Sequence, residues 1–398
     1  MKEILVHYKK SLLIKLYSIM FFIVGILPKK KKVIIFESYL GKQYSCNPRA
    51  IYEYLNGQKD KYDFEMVWSI DKRFEKEFKK WSLKYTIRFS LDWLMKMATA
   101  KYWITNSRLP VWLPKPKNTI YIQTWHGTPL KKIANDMDEV HMPGTTTEKY
   151  KKNFLEEASK WDYLISPNKY STSIFKSAFQ FDKEILEYGY PRNDFLVLKD
   201  NEDYKNKIKE KLKIDSGKKV ILYAPTWRDN AFYEKGKYKF DLPFSVEELY
   251  SEFGKEVVIL LRMHYLVSES FNLDNYEHFI KDVSKYDDIR ELYMISDILI
   301  TDYSSVFFDF ALLKRPIIFY TFDLVNYRDM LRGFYFDIEK KAPGVLVYTI
   351  DQLRIELRKQ LSLPELPENY DQFYNEFCYL EDGEATRKIV AKLFGEIS

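Results

Sequence analysis

The residues able to do chemistry cluster in short segments that close strand-like runs. Gln123-Thr124-Trp125-His126-Gly127-Thr128-Pro129-Leu130-Lys131 follows the run TIYIQ directly. A histidine on a strand-to-helix turn beside a glycine is exposed, and the glycine lets a ligand approach the backbone. Pro129 suits the first turn of a helix, whose free N–H groups would face an anion. His126 is therefore a candidate proton acceptor near neutral pH; the rival reading is a turn histidine bonded only locally. Arg262-Met263-His264 closes the run EVVILL. Arg262 offers a planar fork to phosphate oxygens, and His264, two residues on, points to the same side of an extended chain. The pair reads as a phosphate clamp, against the plainer reading of a surface arginine and a capping histidine.

Thr301-Asp302-Tyr303-Ser304-Ser305 precedes the apolar run VFFDFALL. Serines cap helices, and a helix N-terminus with hydroxyls also holds anions. Capping accounts for one serine and leaves the second, with Asp302, unexplained. Asp309, four residues after Ser305, shares its helix face and would orient that serine or a ligand hydroxyl. Ala224-Pro225-Thr226-Trp227-Arg228 and Gly189-Tyr190-Pro191-Arg192-Asn193-Asp194 each bring an arginine to a strand end. Taken alone, each reads as a solvated loop. No Walker P-loop, GxGxxG, HExxH or GxSxG pattern occurs, so phosphate binding falls to helix ends and arginines. No metal cluster is readable; Asp287-Asp288 would suit a divalent ion, but adjacent acids on a loop ordinarily face water.

Regular elements must hold these segments. Strand-like runs at 32–37, 65–70, 102–105, 119–123 and 162–166 alternate with helical spacing at 48–55, 91–100 and 149–159. The pattern resumes with strands at 219–224, 256–261, 297–301 and 316–320, and helices at 246–253, 288–294 and 305–313. Such alternation predicts an α/β fold of parallel sheets with covered faces. The charged stretch 196–219 marks a boundary. Two doubly wound domains would then face each other across a cleft, with ligands beyond the carboxyl ends of the strands.

The chain has 398 residues, 46% of them hydrophobic, enough for two domains with cores. A net charge of +6 is modest at this length and does not point to nucleic acid. It suits anionic lipid or a polyanionic substrate. Two cysteines, Cys46 and Cys378, match no metal spacing and fit a reducing compartment. Leu12–Leu27 is apolar apart from Lys15, Tyr17 and Ser18, with Lys9 and Lys10 before it and Lys29 to Lys32 after it. The run is shorter than the roughly 20 residues of a spanning helix. It fits a segment lying on an anionic membrane surface better than a buried helix or a true span.

WHGTPLK (125–131), SPNKYS (166–171), GYPRND (189–194), YAPTWRD (223–229), RMH (262–264) and TDYSSVFFDF (301–310) occur in that order. This series resembles the CDP-glycerol glycerophosphotransferase family of teichoic acid synthesis, over roughly residues 30 to 340. The resemblance implies a GT-B-type fold of two Rossmann-like domains: 31–200 on the acceptor side, 215–370 holding the CDP-polyol donor. Residues 1–30 would be a membrane-associating segment and 371–398 a C-terminal helical segment. It implies transfer of glycerol phosphate from CDP-glycerol to a hydroxyl of a lipid-linked precursor, with release of CMP, at the cytoplasmic face of the membrane. No cofactor is implied, CDP-glycerol being a substrate. By the same match His126 is the candidate base and His264 a second catalytic histidine. Gly127, Thr128 and Pro129 would line the donor phosphates, Arg262 would bind them, and Ser304, Ser305 and Asp309 would hold the CDP-polyol. Arg192, Asn193, Thr226 and Arg228 are further donor contacts. The chain lacks the large extra N-terminal region of many polymerases in the family and is close in size to its primases, though size does not fix that choice. CDP-ribitol or capsule-polymer transfer, a nucleotide-sugar glycosyltransferase, and a non-catalytic polyanion binder are the rival readings.

Overall fold

The computed structural model describes residues 2–395 apart from 141–143, 200, 227, 229–231, 235–236, 239–240, 264–272 and 274. Two parallel sheets form its centre. The first contains β1 (Lys30–Glu37), β2 (Glu65–Ile70), β3 (Tyr85–Ile87), β4 (Ala100–Thr105), β5 (Ile120–Gln123), β6 (Tyr163–Ser166) and β7 (Glu184–Glu187), in the order β3-β2-β1-β4-β5-β6-β7. After β8 (Lys219–Ala224) comes a two-stranded antiparallel ribbon, β9 (Phe232–Glu234) and β10 (Lys237–Tyr238). The second sheet adds β11 (Val257–Leu261), β12 (Ile280–Asp282), β13 (Ile298–Thr301), β14 (Ile317–Tyr320) and β15 (Val345–Val347), in the order β12-β11-β8-β13-β14-β15.

The central strands are continuous apolar runs because both of their faces are covered. Every residue of β11, β13 and β14 is buried. Strand order reverses beside β1 in the first sheet and beside β8 in the second, which opens a crevice at the carboxyl end of each. Four of the segments singled out above emerge at strand carboxyl ends, from β5, β8, β11 and β13, and the fifth, 189–194, follows the edge strand β7.

The two halves interpenetrate. Leu130 lies in the core cluster of the second sheet, and Tyr335 packs against the core of the first. Between them Lys131 bridges to Phe334, Lys132 N–H donates to the Gly333 carbonyl (3.0 Å) and Tyr335 N–H to the Leu130 carbonyl (2.8 Å). This pairing corrects the expectation of a helix starting at Pro129. No helix forms there, because the backbone of 130–132 is bonded to the other domain and Leu130 is anchored in its core. At the C-terminus, helix Ala385–Phe394 returns to the first half and buries Ile389 and Val390 against its sheet.

The first helix, Lys2–Gly25, is two-faced. Phe21 is fully buried against Trp93 and Trp103, and Tyr17 donates its hydroxyl to the Ser90 carbonyl (3.0 Å). Leu12, Leu13, Leu16, Ile19, Met20, Phe22 and Ile23 lie exposed on the rest of its surface. Among the described residues no helix is long and apolar enough to cross a membrane. Phe21→Ala should cost about 3–5 kcal/mol in urea unfolding, as for a core phenylalanine. Phe22→Ala, at a side chain 62% exposed, should change stability by less than about 0.5 kcal/mol. Equal costs would show that this helix does not pack as described.

Candidate active site

The turn after β5 is built to aim one side chain. Gln123 Oε1 accepts the Trp125 N–H (3.0 Å), and Trp125 takes a left-handed conformation, φ +51°. A non-glycine residue held there costs roughly 1–3 kcal/mol and persists only where its surroundings fix it. Asn47, from helix Cys46–Gly57, supplies that fixing by donating from Nδ2 to the carbonyls of Thr124 (3.1 Å) and Trp125 (3.2 Å). His126 follows, half-buried between the rings of Trp125 and Tyr39, with centroids at 4.7 and 5.7 Å.

His126 Nδ1 lies 2.7 Å from the Asn106 carbonyl oxygen. A carbonyl only accepts, so Nδ1 carries the proton and Nε2 of the neutral ring keeps its lone pair. Burial lowers the ring's pKa to about 4; the Asn106 carbonyl works against this and the Arg192 charge adds to it. The ring is therefore neutral at physiological pH, with its basic nitrogen unprotonated.

Two cavities meet at this histidine. One, of about 210 Å³, is lined by Tyr39, Cys46, Arg192, Arg262 and Asp309 together with His126. The other, of about 220 Å³, is lined by Gly127, Thr128, Pro129, Lys131 and Thr226 together with His126. Ser304 and Ser305 line both. Ser305 stands at the N-cap of helix Val306–Phe310 but makes no capping bond. The capping role considered from sequence is thus unfilled, and the hydroxyl faces the cavities. A Cβ on Gly127 would lie 2.7 Å from Ser305 Oγ, so a glycine lets the two domains approach here.

The arginines divide by partner. Arg228 is spent on Asp302 (2.9 Å) and Asp323 (2.8 Å) and lines neither cavity. Its position corrects the reading of that segment as a solvated loop, because two carboxylates and the rings of Tyr303 and Tyr327 enclose the guanidinium. Arg192 Nη2 pairs across the cleft with both Asp309 oxygens (2.7 and 3.0 Å), and Asn193 Nδ2 donates to Glu381 (2.9 Å) and Asp309 (3.3 Å). The Asp309 carboxylate thus bonds these two residues and not Ser305. Asn193 lines neither cavity. Arg262 differs from both. Its Nη1 donates to the carbonyls of Val283, Ser284 and Tyr286 (2.7, 2.7 and 2.8 Å), and it pairs with no carboxylate among the described residues. Burial lowers its pKa, the mark of a cation short of compensation, and it faces the first cavity. His264 and Trp227 lie outside the described residues.

Asp288 is no free metal ligand. Burial pushes its carboxyl up, but the guanidiniums of Arg290 and Arg49 outweigh this and hold it at about 2. Among the described residues no group of three or more His, Cys, Asp or Glu is placed to hold a metal ion. Sequence reading missed Tyr39, Asn47 and Asn106. Tyr39 follows β1 as His126 follows β5, so the strand-end rule applied there too.

A neutral histidine, an arginine without a carboxylate partner among the described residues and two serines around one cleft suit transfer of a phosphate-bearing group. The chain matches, over residues 19–395, the family described as CDP-Glycerol:Poly(glycerophosphate) glycerophosphotransferase. It belongs to that family. Among its relatives, the teichoic acid poly(glycerol phosphate) polymerase of Bacillus spizizenii is 62% identical, the match covering 99% of each chain. The teichoic acid glycerol-phosphate transferase of Staphylococcus aureus is 49% identical, covering 92% of this chain and 93% of the relative. A solved structure of the wall teichoic acid polymerase TagF superposes with a TM-score of 0.83 at 43% identity, covering 98% of this chain and 95% of that one. This glycerophosphotransferase-family chain thus shares its length with a relative named as a polymerase, so its size does not mark it as a primase.

If His126 acts as a base, its protonation must stop turnover. Because its pKa is lowered, kcat/KM should stay level from pH 8 down through the ordinary histidine range and fall only toward about 4. A pH–rate profile with its acid limb near 6.5 would show that the ring is not held as described.

Proposed function

We propose that this chain transfers glycerol phosphate from CDP-glycerol to a hydroxyl of a teichoic-acid-type acceptor, at a membrane surface and within a GT-B arrangement of two Rossmann-like domains. The carrying observation is His126, with Nδ1–H bonded to Asn106 and Nε2 without a bond among the described residues, in a cleft whose other wall presents Arg262 and Ser304-Ser305. The acceptor hydroxyl oxygen attacks the β-phosphorus of the donor and its proton passes to Nε2. The bond from that phosphorus to the bridging oxygen breaks, and CMP departs with the oxygen and the electron pair. Attack opposite the leaving group inverts the phosphorus. Arg262, the two serine hydroxyls and the backbone around Gly127 and Thr128 offset charge on the phosphoryl oxygens; phosphoryl transfer needs mainly positioning and electrostatics. By family match, His264 is proposed as a second catalytic histidine.

A base with a pKa near 4 is weak, and donor binding corrects this. The diphosphate brings negative charge beside His126 and opposes the Arg192 term, which raises the ring's proton affinity. The base therefore gains strength only when the donor is in place. The acid limb of kcat, which reports the bound enzyme, should lie at higher pH than that of kcat/KM. His126→Ala should lower CMP release by about 10²–10⁴-fold with the circular dichroism spectrum unchanged. Near-normal release from CDP-glycerol in that variant would remove His126 from the mechanism. Release from UDP-sugars but not CDP-glycerol would favour a glycosyltransferase.

Surface attachment is supported by the exposed apolar face of helix Lys2–Gly25, continued by Ile26, Leu27, Leu91 and Met95 and followed by Lys29 to Lys32. Apolar side chains beside basic ones suit the boundary of an anionic bilayer. Leu16→Glu with Phe22→Glu should cut co-sedimentation with phosphatidylglycerol vesicles by at least about tenfold, since burial of such side chains is worth roughly 1.5–3 kcal/mol each. Turnover on a water-soluble acceptor should be retained. Undiminished sedimentation would place the membrane contact elsewhere.

A further inference from the structure

Asn47 is fully buried at the start of helix Cys46–Gly57 and forms no part of either cavity wall. Its side-chain amide is nonetheless spent on the site. Both N–H donors go to consecutive carbonyls, Thr124 (3.1 Å) and Trp125 (3.2 Å), immediately before His126. Its Oδ1 accepts the backbone N–H of Arg192 (3.1 Å). That residue's guanidinium is the one paired across the cleft with Asp309. A single side chain thus joins the left-handed turn that aims the base to the loop that ties the two domains.

Few other side chains could fill this place. It requires two donors and one acceptor on a short planar group, with no charge among buried backbone dipoles. Alanine would take these partners from the Thr124 carbonyl and the Arg192 N–H and leave the Trp125 carbonyl only the Thr124 hydroxyl (3.1 Å). Aspartate, of nearly equal shape, would keep the acceptor for Arg192 but lose both donors to the turn. The left-handed residue Trp125 makes the loss of those donors consequential, because a strained turn relaxes once its restraints go. Nε2 of His126 would then lose its aim although Asn47 never meets the substrate.

We propose that Asn47 is a positioning residue that holds the turn bearing His126 and couples it to the Arg192–Asp309 contact between the domains. The proposal rests on the reading of His126 as the base. The test uses the full chain, with Asn47→Ala and Asn47→Asp made alone and on a His126→Ala background. CMP release from CDP-glycerol is measured at saturating donor and acceptor. Each Asn47 variant should lower kcat by about 10–100-fold, the cost of a misplacement near 1 Å, with donor KM within about threefold of the parent. On the His126→Ala background the same substitution should cost less than about twofold, because residues that act through one another are not additive. If Asn47→Ala does not fold, the nearly isosteric Asn47→Asp carries the comparison. Full loss on top of His126→Ala, a change confined to KM, or near-parental turnover in Asn47→Asp each overturns the positioning role and leaves the base assignment standing. Near-parental turnover in His126→Ala alone overturns the base assignment, and this inference falls with it.

Discussion

Arg192 reaches from the first half of the molecule into the second, and its pair with Asp309, at 2.7 Å, is almost wholly sealed from water. Removing two charges from solvent costs several kcal/mol for each, and their attraction repays this only when geometry is good and the remaining hydrogen-bonding positions are filled. Here Asn193 donates to Asp309 and Arg192 Nη1 donates to Cys46 Sγ (3.2 Å), but Arg192 Nε and Asn193 Oδ1 are buried without a partner among the described residues. Such a pair adds little net stability. It makes any other docking of the two halves costly, since a displaced domain would leave both charges buried alone, a loss of about 3–5 kcal/mol. The close passage of Gly127 beside Ser305 requires this fixed docking.

The same arginine shapes the site's electrostatics, because its charge lowers the proton affinity of His126. The neighbouring cations show the complementary principle. Arg49 and Arg290 share Asp288, and Arg228 is held by Asp302 and Asp323, so their fields are largely neutralised at source. Arg262 is bonded to neutral carbonyls and keeps its charge for the cavity. A cation that faces the cavity without a carboxylate among the described residues, beside others that are compensated, offers an anion attraction that needs no solvent reorganisation of the kind a surface cluster would need.

Much of this was legible in sequence. The central strands announced themselves because both faces are covered and the residues are apolar throughout. The strands that went unread are β3, β7, β12 and β15, the four sheet edges, together with the short ribbon. They are only two to four residues long, and the edges carry exposed or half-buried positions such as Glu184 and Asp282, so no periodicity can develop. His126, Arg262, Ser304 and Ser305 were readable because they stand at strand ends with distinctive neighbours. Which arginines would be neutralised was not readable, since Asp309 lies 117 residues from Arg192 and Asp323 lies 95 from Arg228. Asn47 carries no local signature at all; its meaning lies in backbone atoms brought to it by the fold.

One chain of contacts links the two ends of the proposed activity. Helix Lys2–Gly25 is bound through Tyr17 to Ser90, at the start of helix Leu91–Thr99, whose Leu91 and Met95 extend the apolar face. That helix runs without a loop into β4, and β4 ends one residue before Asn106, whose carbonyl holds His126. At about 3.3 Å per residue, β4 itself spans roughly 20 Å between the end of that helix and Asn106. Every joint in this path is a helix, a strand or a hydrogen bond to backbone, so the His126 ring cannot move far relative to that face. On the membrane reading, the site is thus held at a set height above the lipid. An acceptor hydroxyl separated from its anchor by enough units to span that height arrives without deforming the protein. On the same reading, a shorter lipid-linked acceptor would have to lift its anchor out of the bilayer, at about 0.8 kcal/mol for each CH₂ exposed, so acceptor length would be read through this height as well as through contacts in the cleft.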